Sequence, residues 1–185
     1  MSNKNFRDLL EASSNIVIFT GAGVSTESGI PDFRSPTGIW KKYQPIEFKD
    51  FLSSEEMRIE AWRRKFEIDK NISRAKPNIG HLAIAQLVKE GKVKKIITQN
   101  IDNLHQESGI SDKIVIELHG NTTYAKCLDC NQKYNLLDIM RDFKKTNKPP
   151  YCFKCNGIVK AATISFGQSM PEKEMILSQK ASLSC

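Results

Sequence analysis

No stretch of this 185-residue chain is apolar for the ~20 residues that a bilayer-crossing helix needs, which excludes an integral membrane helix. The start, Met1-Ser2-Asn3-Lys4-Asn5, has no apolar core behind it, so no secretory leader is read there and the chain is expected in the cytoplasm. Internal repeats and low-complexity tracts are also lacking, which excludes solenoids and disordered tails. Cysteine is confined to five positions and histidine to three, so each can be weighed individually. What is present is ordinary: 39% apolar and 26% charged residues, the balance of one globular domain, or one with a small satellite. The net charge of +7 is unevenly placed, because residues 121–162 hold eight Lys and Arg against three Asp. Such a patch can steer acidic partners. The simpler reading is a solvated lysine-rich surface, and nucleic acid is not expected as a partner.

Hydrophobic periodicity then places the elements. Phe6, Leu9 and Leu10 recur at helical spacing. Residues 16–20 form a continuous apolar run cut off by glycine, which predicts a strand buried on both faces. Ser53 with Glu56 three residues on has the capping-box pattern, opening a charged helix through Trp62, Phe66 and Ile68. Residues 81–90 read as a helix with Leu82, Ala85, Leu87 and Val88 inward and Gly91 as its stop. Further strands are predicted over 93–98, 114–118 and 158–166. Strands alternating with helices predict a parallel α/β sheet. Each strand runs into a polar or glycine-rich stretch at its C-terminal end, the edge where open α/β sheets bind ligands.

The chemistry of those stretches differs. Gly21-Ala22-Gly23 follows a strand directly, where glycines let backbone turn sharply and approach a pyrophosphate. The full fingerprint would need glycine where the chain has Thr26, and no second strand carries a ribose-binding acid. Pro31-Asp32-Phe33-Arg34 brings a fixed turn, a carboxylate, an aromatic and a guanidinium together, fit to clamp a sugar or amide ring, or to form a surface turn. Gln99, Asn100, Asp102 and Asn103 could recognise a carboxamide and ribose hydroxyls, or cap a helix. His119 ends an apolar strand before Gly120, a position that points it into the cleft as a base; His81 and His105 read as structural. Cys127-x2-Cys130 and Cys152-x2-Cys155 form two knuckles able to close a tetrahedral thiolate zinc site with no open position, hence structural. Two disulfides are the alternative, disfavoured in the cytoplasm.

Taken in order, G-A-G-V-S-T-E-S-G-I-P-D-F-R, T-Q-N-I-D-N-L-H, L-H-G at 118–120, the paired CxxC and I-S-F-G-Q-S-M-P resemble the sirtuins, NAD-dependent protein deacylases, of bacterial type. The resemblance covers about residues 15–171. It implies an incomplete Rossmann-type parallel sheet with a small zinc-binding module and a helical insertion. Residues 1–34, 78–121 and 160–185 would form the NAD-binding domain, 35–77 the cofactor loop and helical insertion, and 122–159 the zinc module. It further implies that Gly21, Ala22 and Gly23 approach the NAD phosphates and that Asp32, Phe33 and Arg34 belong to a mobile cofactor loop. Gln99, Asn100 and Asp102 would line the ribose and nicotinamide pocket. Ile164, Phe166 and Gly167 would bind the substrate, an acetylated or otherwise acylated protein lysine held by backbone pairing.

The implied reaction uses NAD as co-substrate. The acyl oxygen attacks the ribose C1′ as nicotinamide leaves, and His119 takes a proton from a ribose hydroxyl so that the sugar attacks the imidate. Lysine, nicotinamide and O-acetyl-ADP-ribose result. The alternatives are an ADP-ribosyltransferase or NAD hydrolase on the same site, or a zinc-ribbon binding module. Gln168 stands where the family usually has Glu, a change expected to be tolerated. The helix around residues 61–65 lacks the Tyr and Arg pair of members that prefer acidic acyl groups, which favours acetyl-lysine. The family continues past the helix at about 172–183 with strands that complete the adenosine site. This chain stops at Cys185, so a truncated form with impaired activity and an open sheet edge is expected.

Overall fold

Eleven apolar positions gather in one cluster around three short strands in a computed structural model, which describes residues 3–32, 38 and 43–185. Helix α1 (Asn3–Ala12) precedes β1 (Ile16–Thr20), which runs into a 3₁₀ helix over Ala22–Ser28. Helices α2 (Phe48–Ser53), α3 (Glu55–Ile72) and α4 (Ile79–Lys89) lead to β2 (Val93–Thr98); the short α5 (Leu104–Glu107) leads to β3 (Val115–Glu117). These strands form one parallel sheet in the order β1-β2-β3, Phe19 opposite Ile97 and Ile97 opposite Ile116. Because successive side chains alternate in a strand, Ile96 and Ile97 serve opposite faces. Ile96 packs with Val93, Ile110 and Val115 under Ala85, Leu87 and Val88 of α4. Ile97 packs with Ile116 and Leu118 under Ala181 of α7 (Glu172–Leu183).

A second sheet begins two residues after the first ends. β4 (Gly120–Cys127) pairs antiparallel with β5 (Lys133–Asn135) on one side and β6 (Val159–Thr163) on the other, and α6 (Leu136–Thr146) covers it. Its core joins Cys127, Cys152, Ile139 and Phe143 to Trp62 of α3, with Phe66 stacked on Trp62 and tilted against Phe143. Helix α3 therefore shares a core with the cysteine-bearing sheet. Its C-terminal end, through Ile68 and Ile72, packs with Ile30, Ala75 and Leu104 instead.

Several local expectations are corrected. The strand at 158–166 ends at Thr163 and belongs to the antiparallel sheet, because Cys127 pairs with Val159 and draws it into the cysteine module. β1 is not buried on both faces: it is an outer strand among those described, and Phe19 is 59% exposed. Leu82 points outward, 54% exposed. The α3 cap is Ser54, one residue later than expected: its hydroxyl accepts from the Met57 amide and donates to Glu56, while Ser53 ends α2. Gly91 does stop α4, with φ of 74°. None of the described helices is long and apolar enough to cross a membrane.

Candidate active site

The polar stretches that end β1, β2 and β3 meet at one cavity of about 730 Å³. That volume suits a ligand of nucleotide size. Ala22, Gly23, Asp32, Gln99, Asn100 and His119 line it together with Ile164, Phe166 and Gly167. Gly21 lies just outside the lining, against the Gln99 side chain. Phe33 and Arg34 fall outside the described residues. The turn reading of the glycines is corrected: Gly21 has φ of −134°, extended backbone that any residue adopts, while a methyl on Gly23 would meet nothing within 4 Å. Their contribution is an open backbone surface that a ligand can approach, not a left-handed turn.

Beneath this surface runs a buried polar network. Ser25 Oγ donates to Asp102 Oδ2 at 2.6 Å and accepts from Asn100 Nδ2 at 3.1 Å. Asp102 Oδ1 accepts the Leu104 amide at 3.0 Å, capping α5. Thr98 Oγ1 accepts the Asn100 amide and the Thr20 hydroxyl, at 3.0 and 2.9 Å. Asp102 is thus a buried support that sets Ser25 and Asn100, and does not itself line the cavity. The cluster thus serves the first turn of α5, as one reading expected, and stands behind the cavity wall formed by Gln99 and Asn100. Ser25 had no signal of its own in the sequence, because a serine inside a glycine turn is common.

Below the network sit His81 and His105, fully buried, their ring centroids 5.1 Å apart. Burial pushes the His105 pKa down to about 4; the His81 ring adds to this and the Asp102 carboxylate opposes it. His81 is lowered too, by burial, again against Asp102. A base whose folded pKa lies below its unfolded value is protonated first in the unfolded chain. Its contribution is therefore complete above pH ~6.5 and is lost as pH falls toward 4. Acid is expected to remove on the order of 3 kcal/mol through His105 between those limits. Denaturant midpoints measured from pH 7 to 4.5 check this, and His105→Asn would flatten the slope.

His119 owes its orientation to the chain on both sides. Its Nδ1 donates to the Gln99 carbonyl at 2.9 Å, since a carbonyl can only accept, which leaves Nε2 as the basic nitrogen. Its own carbonyl accepts the Ile164 amide at 2.9 Å. Gly120 has φ of 74°, and a methyl there would lie 2.0 Å from the Ala162 carbonyl oxygen. Only glycine lets the chain pass from the parallel to the antiparallel sheet here. Gly120→Ala is expected to cost about 3 kcal/mol, a fall in Tm of roughly 10 °C by calorimetry.

Across the cavity, Ser165 to Gln168 form a turn: the Gln168 amide donates to the Ser165 carbonyl, and Gln168 Oε1 accepts the Ser165 amide at 3.1 Å. A glutamate would offer the same acceptor to the Ser165 amide. The Phe166 carbonyl accepts the Phe48 amide at 2.8 Å, tying this turn to α2. Two lysines not singled out from the sequence also line the cavity, Lys160 buried and Lys65 partly buried. Lys65 is paired with Asp69 and donates to the Thr122 carbonyl; burial lowers the lysine and raises the aspartate, each opposed by the other's charge. Burial brings Lys160 down to about 8, with Lys126 adding to the effect. Nothing in a lysine's sequence position announces such burial.

The four cysteines converge as expected. Their sulfurs lie within 4.8 Å of one another, with Cys127–Cys155 and Cys130–Cys152 at 3.5 Å. Thiolates around a tetrahedral zinc would be spaced by about 3.8 Å. The knuckles are the same turn built twice. Asn131 and Asn156, each following the second cysteine, take left-handed φ of 58°, and each donates its amide to the carbonyl of the first. Tyr134 supports the group through a hydroxyl bond to Cys152 Sγ. The four thiols fit a structural zinc, and no disulfide links them.

An open parallel sheet with a cleft at its C-terminal strand ends, a histidine there and a four-cysteine module beside it define a zinc-bearing nucleotide-binding enzyme fold. The Sir2 family model matches residues 21–184, and the chain belongs to the Sir2 family. It is 53% identical over 168 residues to an NAD-dependent protein deacetylase of Rhodopseudomonas palustris, covering 91% of this chain and 66% of that protein. It is 52% identical over 178 residues to NAD-dependent protein deacetylase 1 of Bradyrhizobium diazoefficiens, covering 96% and 70%. A solved Sir2 structure with a deacetylated p53 peptide and 3′-O-acetyl ADP ribose superposes with a TM-score of 0.85 at 38% identity, covering 98% of this chain and 72% of that one. The chain thus spans about two thirds of the length of the relatives it matches.

Proposed function

We infer that this chain carries the catalytic cleft of an NAD-dependent protein lysine deacetylase, with NAD and an acetylated lysine as its substrates. The observation that carries the reading is His119: its Nδ1 is held by the Gln99 carbonyl, so Nε2 carries the lone pair in a cavity lined by Gln99, Asn100, Ile164 and Phe166. In this reading Gly21, Ala22 and Gly23 offer the NAD phosphates open backbone, and Asp32, Phe33 and Arg34 are assigned to NAD as well. Gln99 and Asn100 hold the ribose and carboxamide, while Asp102 fixes Asn100 through Ser25. Ile164, Phe166 and Gly167 flank the acyl-lysine. His119 Nε2 takes a proton from a ribose hydroxyl, which frees that oxygen to attack the imidate carbon. Zinc, when bound, supplies no chemistry to this step: its four thiolates leave no coordination position open, and it holds the β4–β6 sheet in shape.

A division into an NAD-binding part and a cysteine module belongs to the same reading, with β4 and β6 moved wholly into the module so that the expected boundaries at 121 and 160 shift to 120 and 163; so does a cytoplasmic setting, since unpaired thiols suit a reducing compartment. Incubation with NAD and an acetylated peptide, followed by mass spectrometry, is expected to show nicotinamide and O-acetyl-ADP-ribose in equal amounts. Nicotinamide without the acetylated product would make the protein an NAD hydrolase or ADP-ribosyltransferase instead.

A further inference from the structure

The two buried histidines have a complementary defect. His81 Nε2 and His105 Nδ1 are buried ring nitrogens without a hydrogen-bond partner among the described residues, and the two ring centroids lie 5.1 Å apart with their planes tilted by 57°. Their remaining nitrogens are engaged, and those bonds decide the tautomers. His81 Nδ1 accepts the Asn78 amide at 3.4 Å, so in the neutral ring the proton is on Nε2. His105 Nε2 meets Thr20 Oγ1 at 2.9 Å, and Thr20 gives its one hydroxyl proton to Thr98. With the Thr20 proton given to Thr98, His105 Nε2 is the donor and its Nδ1 carries the lone pair. The two unpartnered atoms are thus one donor and one acceptor.

We propose that His81 and His105 form a linked imidazole pair, both neutral and both protonated on Nε2, that acts as a positioning device for the nucleotide wall of the cavity. The link runs from His81 Nε2–H to His105 Nδ1, directly after a small ring rotation or through one water, and either route needs the same tautomers. From His105 the order passes through Thr20 and Thr98 to the Asn100 amide, and from Asn100 to Ser25 and Asp102. From His81 it passes through Asn78, whose side-chain nitrogen donates to the Val24 carbonyl at 2.7 Å and to Ser28 Oγ at 3.0 Å, pinning the 3₁₀ helix. Both arms end on segments that frame the cavity near Gly23 and Asn100. Neither histidine touches the cavity itself. Its unpaired partner atom is the penalty that keeps the pair specific, since a buried polar atom left unmet costs about 1–3 kcal/mol.

The effect on NAD rests on the function proposed above; the tautomers do not. Asparagine at 105 can mimic Nδ1 but cannot reach Thr20, whereas glutamine places an amide N–H where Nε2–H stands. Calorimetric titration with NAD is expected to show at least tenfold weaker binding for His105→Asn, with His105→Gln recovering most of it and acetylated-peptide affinity unchanged in both. Unchanged NAD binding by a folded His105→Asn protein, or equal losses in both variants, would overturn the proposal. Long-range ¹H–¹⁵N spectra of the unsubstituted protein at neutral pH give an answer without ligand or folding risk. Protonated Nε2 and lone-pair Nδ1 signals are expected for both rings, and an Nδ1–H signal in either would also overturn it. Absence of NAD binding by the unsubstituted protein, with both tautomers as assigned, would count against the proposed function and leave the pair standing.

Discussion

His119→Ala is expected to lower deacetylation by ~10²–10⁴-fold, the range a positioned general base contributes, while leaving the fold and the zinc content unchanged. The split follows from what His119 does in the structure. Its side chain makes one hydrogen bond, to the Gln99 carbonyl, and is only partly buried, so deletion costs about 1 kcal/mol of stability at most. The Ile164 amide bonds to the His119 backbone carbonyl, which alanine keeps, so the two walls of the cavity remain joined. What is lost is Nε2. Single-turnover measurement of O-acetyl-ADP-ribose formation, beside far-ultraviolet circular dichroism and metal analysis, tests both halves. Turnover equal to that of the unsubstituted protein would remove His119 from its assigned role.

Stripping the metal should have the largest effect on structure. Structural zinc in small thiolate sites contributes ~10–16 kcal/mol of apparent binding free energy. Here the thiols are not appended to the module but built into its core. Cys127 and Cys152 are buried beside Ala125, Ile139, Phe143 and Val159, and Trp62 of α3 packs on the same cluster. Without a cation, nothing bridges the four sulfurs that the two knuckles bring within 4.8 Å of one another. A strong chelator, or Cys152→Ser, is therefore expected to loosen β4, β5 and β6 and to release Trp62 to solvent. A red shift in tryptophan emission accompanying loss of one zinc per chain would report it. Metal-free protein with an unchanged emission maximum and Tm would show that packing alone holds this sheet.

The parallel sheet and the metal centre were legible in the sequence for different reasons. Strands flanked by glycine or polar runs at the ends of β1 and β2 carry period and punctuation together, so Ile16–Thr20 and Val93–Thr98 stand where the pattern put them. Two CxxC pairs are a covalent-scale constraint, and their convergence needed no knowledge of the path between them. The membership of β6 was not legible, because an apolar run does not say which sheet it joins. Nor was the role of Ser25 or of the histidine pair. Partnership between Thr20, Thr98 and His105 arises from parallel register, which sets residues 78 and 85 positions apart side by side. Burial of Lys65 and Lys160 depends in the same way on packing between α3 and the second sheet, and lysine is a residue that sequence patterns assign to solvent.

One consequence lies in how the apolar clusters are divided. The cluster that holds Trp62, Phe143 and the cysteines is separate from the clusters on the two faces of β2. Substitutions in distant, unshared cores add their energies nearly independently. Changes around Trp62, Phe143 and the second sheet therefore pass little cost to the two faces of β2, while the C-terminal end of α3, through Ile68 and Ile72, still touches the cluster of Ile30 and Leu104. Under the proposed function, a lineage could retune what it deacylates near Trp62 while its grip on the dinucleotide stays fixed.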